Sequence, residues 1–178
     1  MDNIWTIIAV GMVLIIAALL VYASTKPDSF TISRSTTINS PADRIFPMIN
    51  SLRGFNQWNP FLAPDPAAKL DYFGPEHGVG AGHRWSGNRQ VGAGSVEITE
   101  SNPTSNIVMK LHMLKPMNAL NRVEFTLRPN ASGTIVSWTM SGRQPFIGKL
   151  MSLFIDCDKM VGQQFEKGLA SMKTLVER

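Results

Sequence analysis

Side chains able to do acid–base or nucleophilic work are few in this 178-residue chain, and they are scattered. The histidines are His77, His83 and His112, and none has the HxH or HExxH spacing that sets two ring nitrogens on one metal. His83 shares strand parity with Trp85, so it is the histidine placed nearest an interior, as a satisfied structural histidine or as a ligand or base. His112 shares parity with Lys110 and is expected to face solvent. Glu97 and Glu100 fall on opposite parities of one strand and do not pair simply. Asp156 and Asp158 sit where a C-terminal helix begins, and their charge there complements the helix dipole. Arg34 has the parity of Ile32 and Ile38, hence an inner sheet face. There it can fix a ligand carboxylate or phosphate, or close a structural ion pair. Cys157 is the single cysteine, so no intrachain disulfide forms; it has no assignable base and reads as a small buried hydrophobe. An acid–base reaction would have to draw on His83, Glu97 and Arg34. No catalytic residue, metal or cofactor is assigned.

The glycine-rich stretch 74–94 invites a phosphate-loop reading. A phosphate cradle needs a strand before it and a helix N-terminus after it. Here strand-like segments follow, and no Lys-Ser/Thr pair is present, so tight turns and bulges are expected.

The elements that must position these residues follow from periodicity. Residues 30–38 read as a strand. Ser40 and Pro41 then read as a helix cap and first turn, leading into a short helix over 42–50 with Ile45, Phe46 and Ile49 on one face. A second short turn is expected over 53–58. Period-two runs follow at 70–73, 83–88, 94–100, 107–113, 123–127 and 136–140, separated by Gly and Pro punctuation. Met109, Leu111 and Met113 share one apolar face, as do Val123 and Phe125, and Val136 and Trp138. From 145 to 178 the period changes: Leu150, Phe154, Val161, Phe165, Leu169, Met172 and Val176 predict one long amphipathic helix. Gly148, Gly162 and Gly168 weaken it, and either bend it or admit a close neighbour.

The order is strand, two short helices, about six strands, long helix: an α+β chain whose one-sided sheet must be covered by the last helix. A sheet that wide is expected to leave a concave apolar site beside it. Trp58, Trp85 and Trp138, with Met109, Met113 and Phe125, serve such a site equally well as core or as pocket lining. With Leu111, Phe165, His83 and Arg34 they are the candidate cavity residues.

Residues 4–23 form an apolar run without a charge, bounded by Trp5 and Tyr22. About 20 residues suffice to cross a bilayer as a helix. The expectation is a transmembrane anchor over 1–26 and a globular domain over 27–178. A cleaved signal peptide is the alternative: Val21-Tyr22-Ala23 is a tolerable cleavage site, but the N-terminus carries Asp2 and no basic residue. Lys26 and Arg34 follow the run, and the positive-inside rule then puts the domain on the cytoplasmic side.

The chain is 44% hydrophobic and 17% charged, which excludes a disordered chain or a coiled coil. Its formal net charge is +4, but the basic residues are not clustered, so nucleic acid is not an expected partner.

The run TKPDSFTISRSTTINSPADRIFPMIN, then FNQWNPF, GPEHGVGAGHRWSGNRQVGAGSVEITESNP and FIGKLMSLFIDCDKMVGQQFEKGLASMK resemble membrane-anchored members of the SRPBCC superfamily. That superfamily includes START lipid-transfer domains, Bet v 1 and polyketide cyclases. The resemblance covers residues 24–175 and points to the polyketide cyclase/dehydrase and lipid transport branch. It implies a helix-grip fold of about seven strands around a long C-terminal helix, with a deep apolar cavity and a glycine-rich hairpin near its mouth. It implies no single reaction. Three functions remain open: membrane-tethered binding or transport of a hydrophobic small molecule or lipid, a cyclase- or dehydratase-like enzyme, and a membrane-bound interaction module with a filled core.

Overall fold

The computed structural model describes residues 2–178. The chain opens with α1 (Asp2–Ser24), of which Ile4–Ser24 is long and apolar enough to cross a membrane by length and composition. Its 21 residues extend roughly 30 Å at the helical rise. Pro27 precludes its continuation, and β1 (Ser29–Ile38) follows.

Two short helices, α2 (Ala42–Asn50) and α3 (Leu52–Phe55), lead to β2 (Lys69–Phe73), β3 (Gly82–Ser86), β4 (Ala93–Asn102), β5 (Asn106–Lys115), β6 (Ala119–Asn130) and β7 (Gly133–Arg143). Each period-two run of the sequence lies within one of these strands, except that the 83–88 run outlasts β3 by two residues. The strands form one antiparallel sheet in the order β1-β7-β6-β5-β4-β3-β2. The chain ends with α4 (Phe146–Met151) and α5 (Cys157–Val176), and α5 packs on β1 and β7. This is the helix-grip arrangement that the resemblance implies.

Two local expectations are corrected. Ser40 does not cap α2: Pro41 holds that position without a side-chain bond. Ser40 is buried under the β6–β7 turn, where its carbonyl accepts from Thr134 Oγ1 at 2.8 Å. The single long helix over 145–178 is two helices. Ser152 Oγ donates to the Lys149 carbonyl at 2.7 Å, and the Asp156 carboxylate accepts from the Lys159 N–H at 2.9 Å. The first bond occupies a carbonyl at the end of α4 and the second caps α5, so together they favour ending one helix and starting another. Phe154, counted on the apolar helix face, sits in the intervening turn and is exposed.

The glycines of α5 admit close neighbours. A Cβ at Gly162 would collide with the Arg34 guanidinium, and one at Gly168 would lie 2.8 Å from Trp138 Cζ3 and 3.0 Å from Pro60 Cδ. Helix and sheet therefore approach more closely than any side chain there would permit.

Candidate functional site

The concave face of the sheet has two halves that differ in how they are filled. In the half away from α1, interior rings pack against one another. Trp138 on β7 stacks on Phe165 of α5, with centroids 4.2 Å apart and planes within 9°. Phe125 lies 5.0 Å from Trp138, and Trp58, just after α3, lies 5.5 Å from it. Phe55 meets Trp58 edge-on at 4.8 Å. Phe61 closes the side, edge-on to Trp138 at 6.0 Å and to Phe165 at 6.1 Å. The deep apolar cavity that the resemblance implies is thus filled here by the chain's own side chains.

Burial relaxes toward the end of the sheet where β1 starts and β7 ends. On β5, Met109 is buried while Leu111 and Met113 are half-buried. On β6 the change runs from Val123 to Asn121, on β7 from Trp138 to Met140, and on β3 from His83 to Trp85. Register aligns Leu70, Trp85, Gly94 and Met113 across four strands, with Leu111 in the next row. These rows lie on β2 to β5, whereas α5 starts at Cys157 and packs on β1 and β7, and the ring stack of Phe55, Trp58, Trp138 and Phe165 does not extend to them.

Two of the interior indoles spend their N–H groups: Trp58 Nε1 donates to the Met48 carbonyl at 3.0 Å and Trp85 Nε1 to the Val91 carbonyl at 3.2 Å. The Trp138 N–H is buried without a partner among the described residues. An unmade bond at such a donor is costly.

His83 is 1% exposed. Asn56 Nδ2 lies 3.1 Å from the Tyr72 hydroxyl, to which it donates, and 3.4 Å from His83 Nδ1. Burial lowers the His83 pKa from 6.5 to about 4, so the imidazole is neutral at pH 7. Glu97 belongs to the opposite face of β4, and Arg34 is on β1 at the other edge of the sheet. The structure does not bring His83, Glu97 and Arg34 together.

Arg34 is on the inner face, as its parity predicts, but its donors are occupied. Nη2 meets Asp158 Oδ2 at 2.8 Å, Nε meets Glu166 Oε1 at 2.9 Å and Nη1 donates to the Ser33 carbonyl at 2.8 Å. Its hydrogen bond holds the Asp158 carboxyl below its usual range. The ion pair, not a free anion site, is what forms. Cys157 is exposed rather than a buried hydrophobe, because it opens α5 at the sheet's uncovered end.

Two open depressions, of about 520 and 400 Å³, lie at the α2 N-terminus beside the β6–β7 turn and at the β2–β3 turn. None of the ten candidate residues lines either one. The glycine-rich segment forms turns, as expected: Gly74 has φ +76°, and a Cβ there would strike the Gly80 carbonyl. Among the described residues, no group of three or more His, Cys, Asp or Glu could hold a metal ion. Phe55, which is buried, and Phe61, which is 40% exposed at the side of the stack, were not foreseen; the signal for them is the three-residue step of Phe55, Trp58 and Phe61.

Solved structures share this architecture. Protein MLL2253 from Mesorhizobium loti matches with a TM-score of 0.61 at 17% identity, over 84% of this chain and 98% of its own. The Aha1 dimer from Colwellia psychrerythraea matches with a TM-score of 0.58 at 18% identity, over 83% and 96%. Ara h 8.0201 matches with a TM-score of 0.57 at 11% identity, over 83% and 97%. At these identities the likeness is one of fold. No curated protein matches the chain. The family model for polyketide cyclase / dehydrase and lipid transport matches residues 29–177, the whole of the sheet and its gripped helix, and the chain belongs to that family.

Proposed function

We infer that the protein is a membrane-tethered binder or carrier of a hydrophobic small molecule or lipid. Residues 1–26 form a single-pass anchor in the cell membrane, and residues 27–178 form the binding domain on the cytoplasmic side. The observation that carries this reading is the burial gradient: the concave face is sealed at one half and apolar but half-open at the other. A guest lying over Trp85, Leu111, Met113 and Met140 removes apolar surface from water, worth about 25 cal/mol per Å². The tether raises the effective concentration of the domain near lipidic ligands.

The test is mass spectrometry of the full chain extracted from membranes in mild detergent. A co-purifying fatty acid, phospholipid or isoprenoid, lost in Leu111→Glu with the fold intact by circular dichroism, is expected. Ligand-free protein that takes up none of these classes overturns the reading. The filled half of the interior favours a second reading, an interaction module, and a stoichiometric protein partner in place of lipid is the result that would support it.

A further inference from the structure

Two apolar segments far apart in sequence meet at one end of the sheet. The first is residues 145–155, PFIGKLMSLFI, comprising α4 and the turn before α5. Ile147 is 65% exposed and Phe154 73%, and Phe146, Met151 and Ile155 are exposed beside them. Its single charge, Lys149, is buried and bonded to Asp28 at 2.5 Å. The second is the β5–β6 tip, where Leu114, Met117 and Leu120 are each more than half exposed. Register puts both at the same end: Ser29 pairs with Arg143, and Asn121 pairs with Gly142. That is also the end at which α1 delivers the chain into β1, and α1 packs on α4. Lys26, Lys69, Arg89, Lys115 and Arg143 stand along this end; of its acidic side chains, Asp28 is engaged by Lys149, Asp65 accepts from the Asn88 N–H at 2.7 Å and Asp156 from the Lys159 N–H at 2.9 Å.

We propose that α4 with its following turn and the β5–β6 tip form a bilayer-docking surface, which inserts its apolar side chains at the headgroup boundary beside α1. This rests on the reading of α1 as a membrane span. An apolar face rimmed by basic side chains fits an anionic lipid surface. Its continuity with α1 makes that surface the nearest available cover. Docking there turns the half-open rows of the concave face toward lipid, so a guest passes between bilayer and domain without crossing water.

The full chain is reconstituted into phosphatidylcholine–phosphatidylglycerol vesicles, in a Cys157→Ser background that leaves one cysteine per variant for an environment-sensitive fluorophore. Val13→Cys reports the span, Phe154→Cys and Met117→Cys report the docking surface, and Ala131→Cys at the opposite end reports water. All four positions are exposed, and circular dichroism verifies each fold. Quenching by nitroxide lipids at 13, 154 and 117, and none at 131, is the expected pattern. Quenching at 13 with either 154 or 117 unquenched overturns the docking surface and leaves the span standing. No quenching at 13 overturns the span and, with it, this proposal. A blue shift at 154 without lipid quenching means that protein, a second copy or a partner, covers the face, and also overturns it.

Discussion

The two halves of the concave face are built from the same strands with the same alternation, yet one is a sealed stack of rings and the other an uncovered apolar floor. Their difference comes from what lies above them. Over Trp138 and Phe125, Phe165 of α5, Phe55 of α3 and Trp58 close the space; Leu111 and Met113 lie on β5, away from the β1 and β7 strands on which α5 packs. Strand chemistry therefore decides which residues face inward, and helix placement decides which of them are hidden.

The contrast can be broken at its strongest point first. Trp138→Ala empties the centre of the ring stack and is expected to cost about 3–5 kcal/mol. A chemical denaturation midpoint that hardly moves would mean that this half is not tightly packed.

An acid titration sharpens where the boundary lies. His83, one step inside the half-buried Trp85, has its pKa lowered from 6.5 to about 4 by burial. Below pH 6.5 the unfolded chain takes up a proton that the folded chain refuses, so stability falls as pH drops from 6.5 toward 4, by at most about 1.4 kcal/mol per pH unit. Subtracting the pH profile of His83→Gln isolates this slope from that of the carboxylates. Parallel profiles would place the imidazole in water, and the boundary deeper.

The smallest effect compares two glycines. Gly168→Ala forces a methyl against Trp138 and Pro60 and is expected to destabilise by about 1–3 kcal/mol, partly offset by helix propensity. Gly148→Ala, on α4, meets only Gln144 and Pro145 at 3.4 Å or more. It is expected to be neutral, or stabilising by up to about 1 kcal/mol. Equal melting shifts for the two would remove the distinction between a tight half and a loose one.

The inner faces of the strands were legible because a period of two leaves few alternatives: Val136, Trp138 and Met140 can only share a side. Degree of burial along that side was not legible, since Trp138 and Met140 carry the same signal and differ only in what covers them. The break before α5 was hidden for a related reason. Leu150 and Phe154 keep helical spacing, while Ser152 and Asp156, which end and restart the helix, are unremarkable until their hydrogen bonds are seen. Arg34 was legible as an inward charge but not as a spent one, because its partners Asp158 and Glu166 lie more than 120 residues away. Phe61 lies in an aperiodic, proline-bounded loop, where no pattern assigns a face.

The Arg34 guanidinium, seated in the notch at Gly162, works as a detent. Asp158 and Glu166 grip it from either side, and at the far end Lys173 Nζ holds the Thr37 carbonyl at 2.8 Å while Glu177 accepts from the Asn39 N–H at 2.6 Å. Sliding α5 by one turn, about 5.4 Å, would dislodge all of these and drive a side chain into the arginine. The rod is thus pinned at two stations along β1, which fixes its register on the sheet.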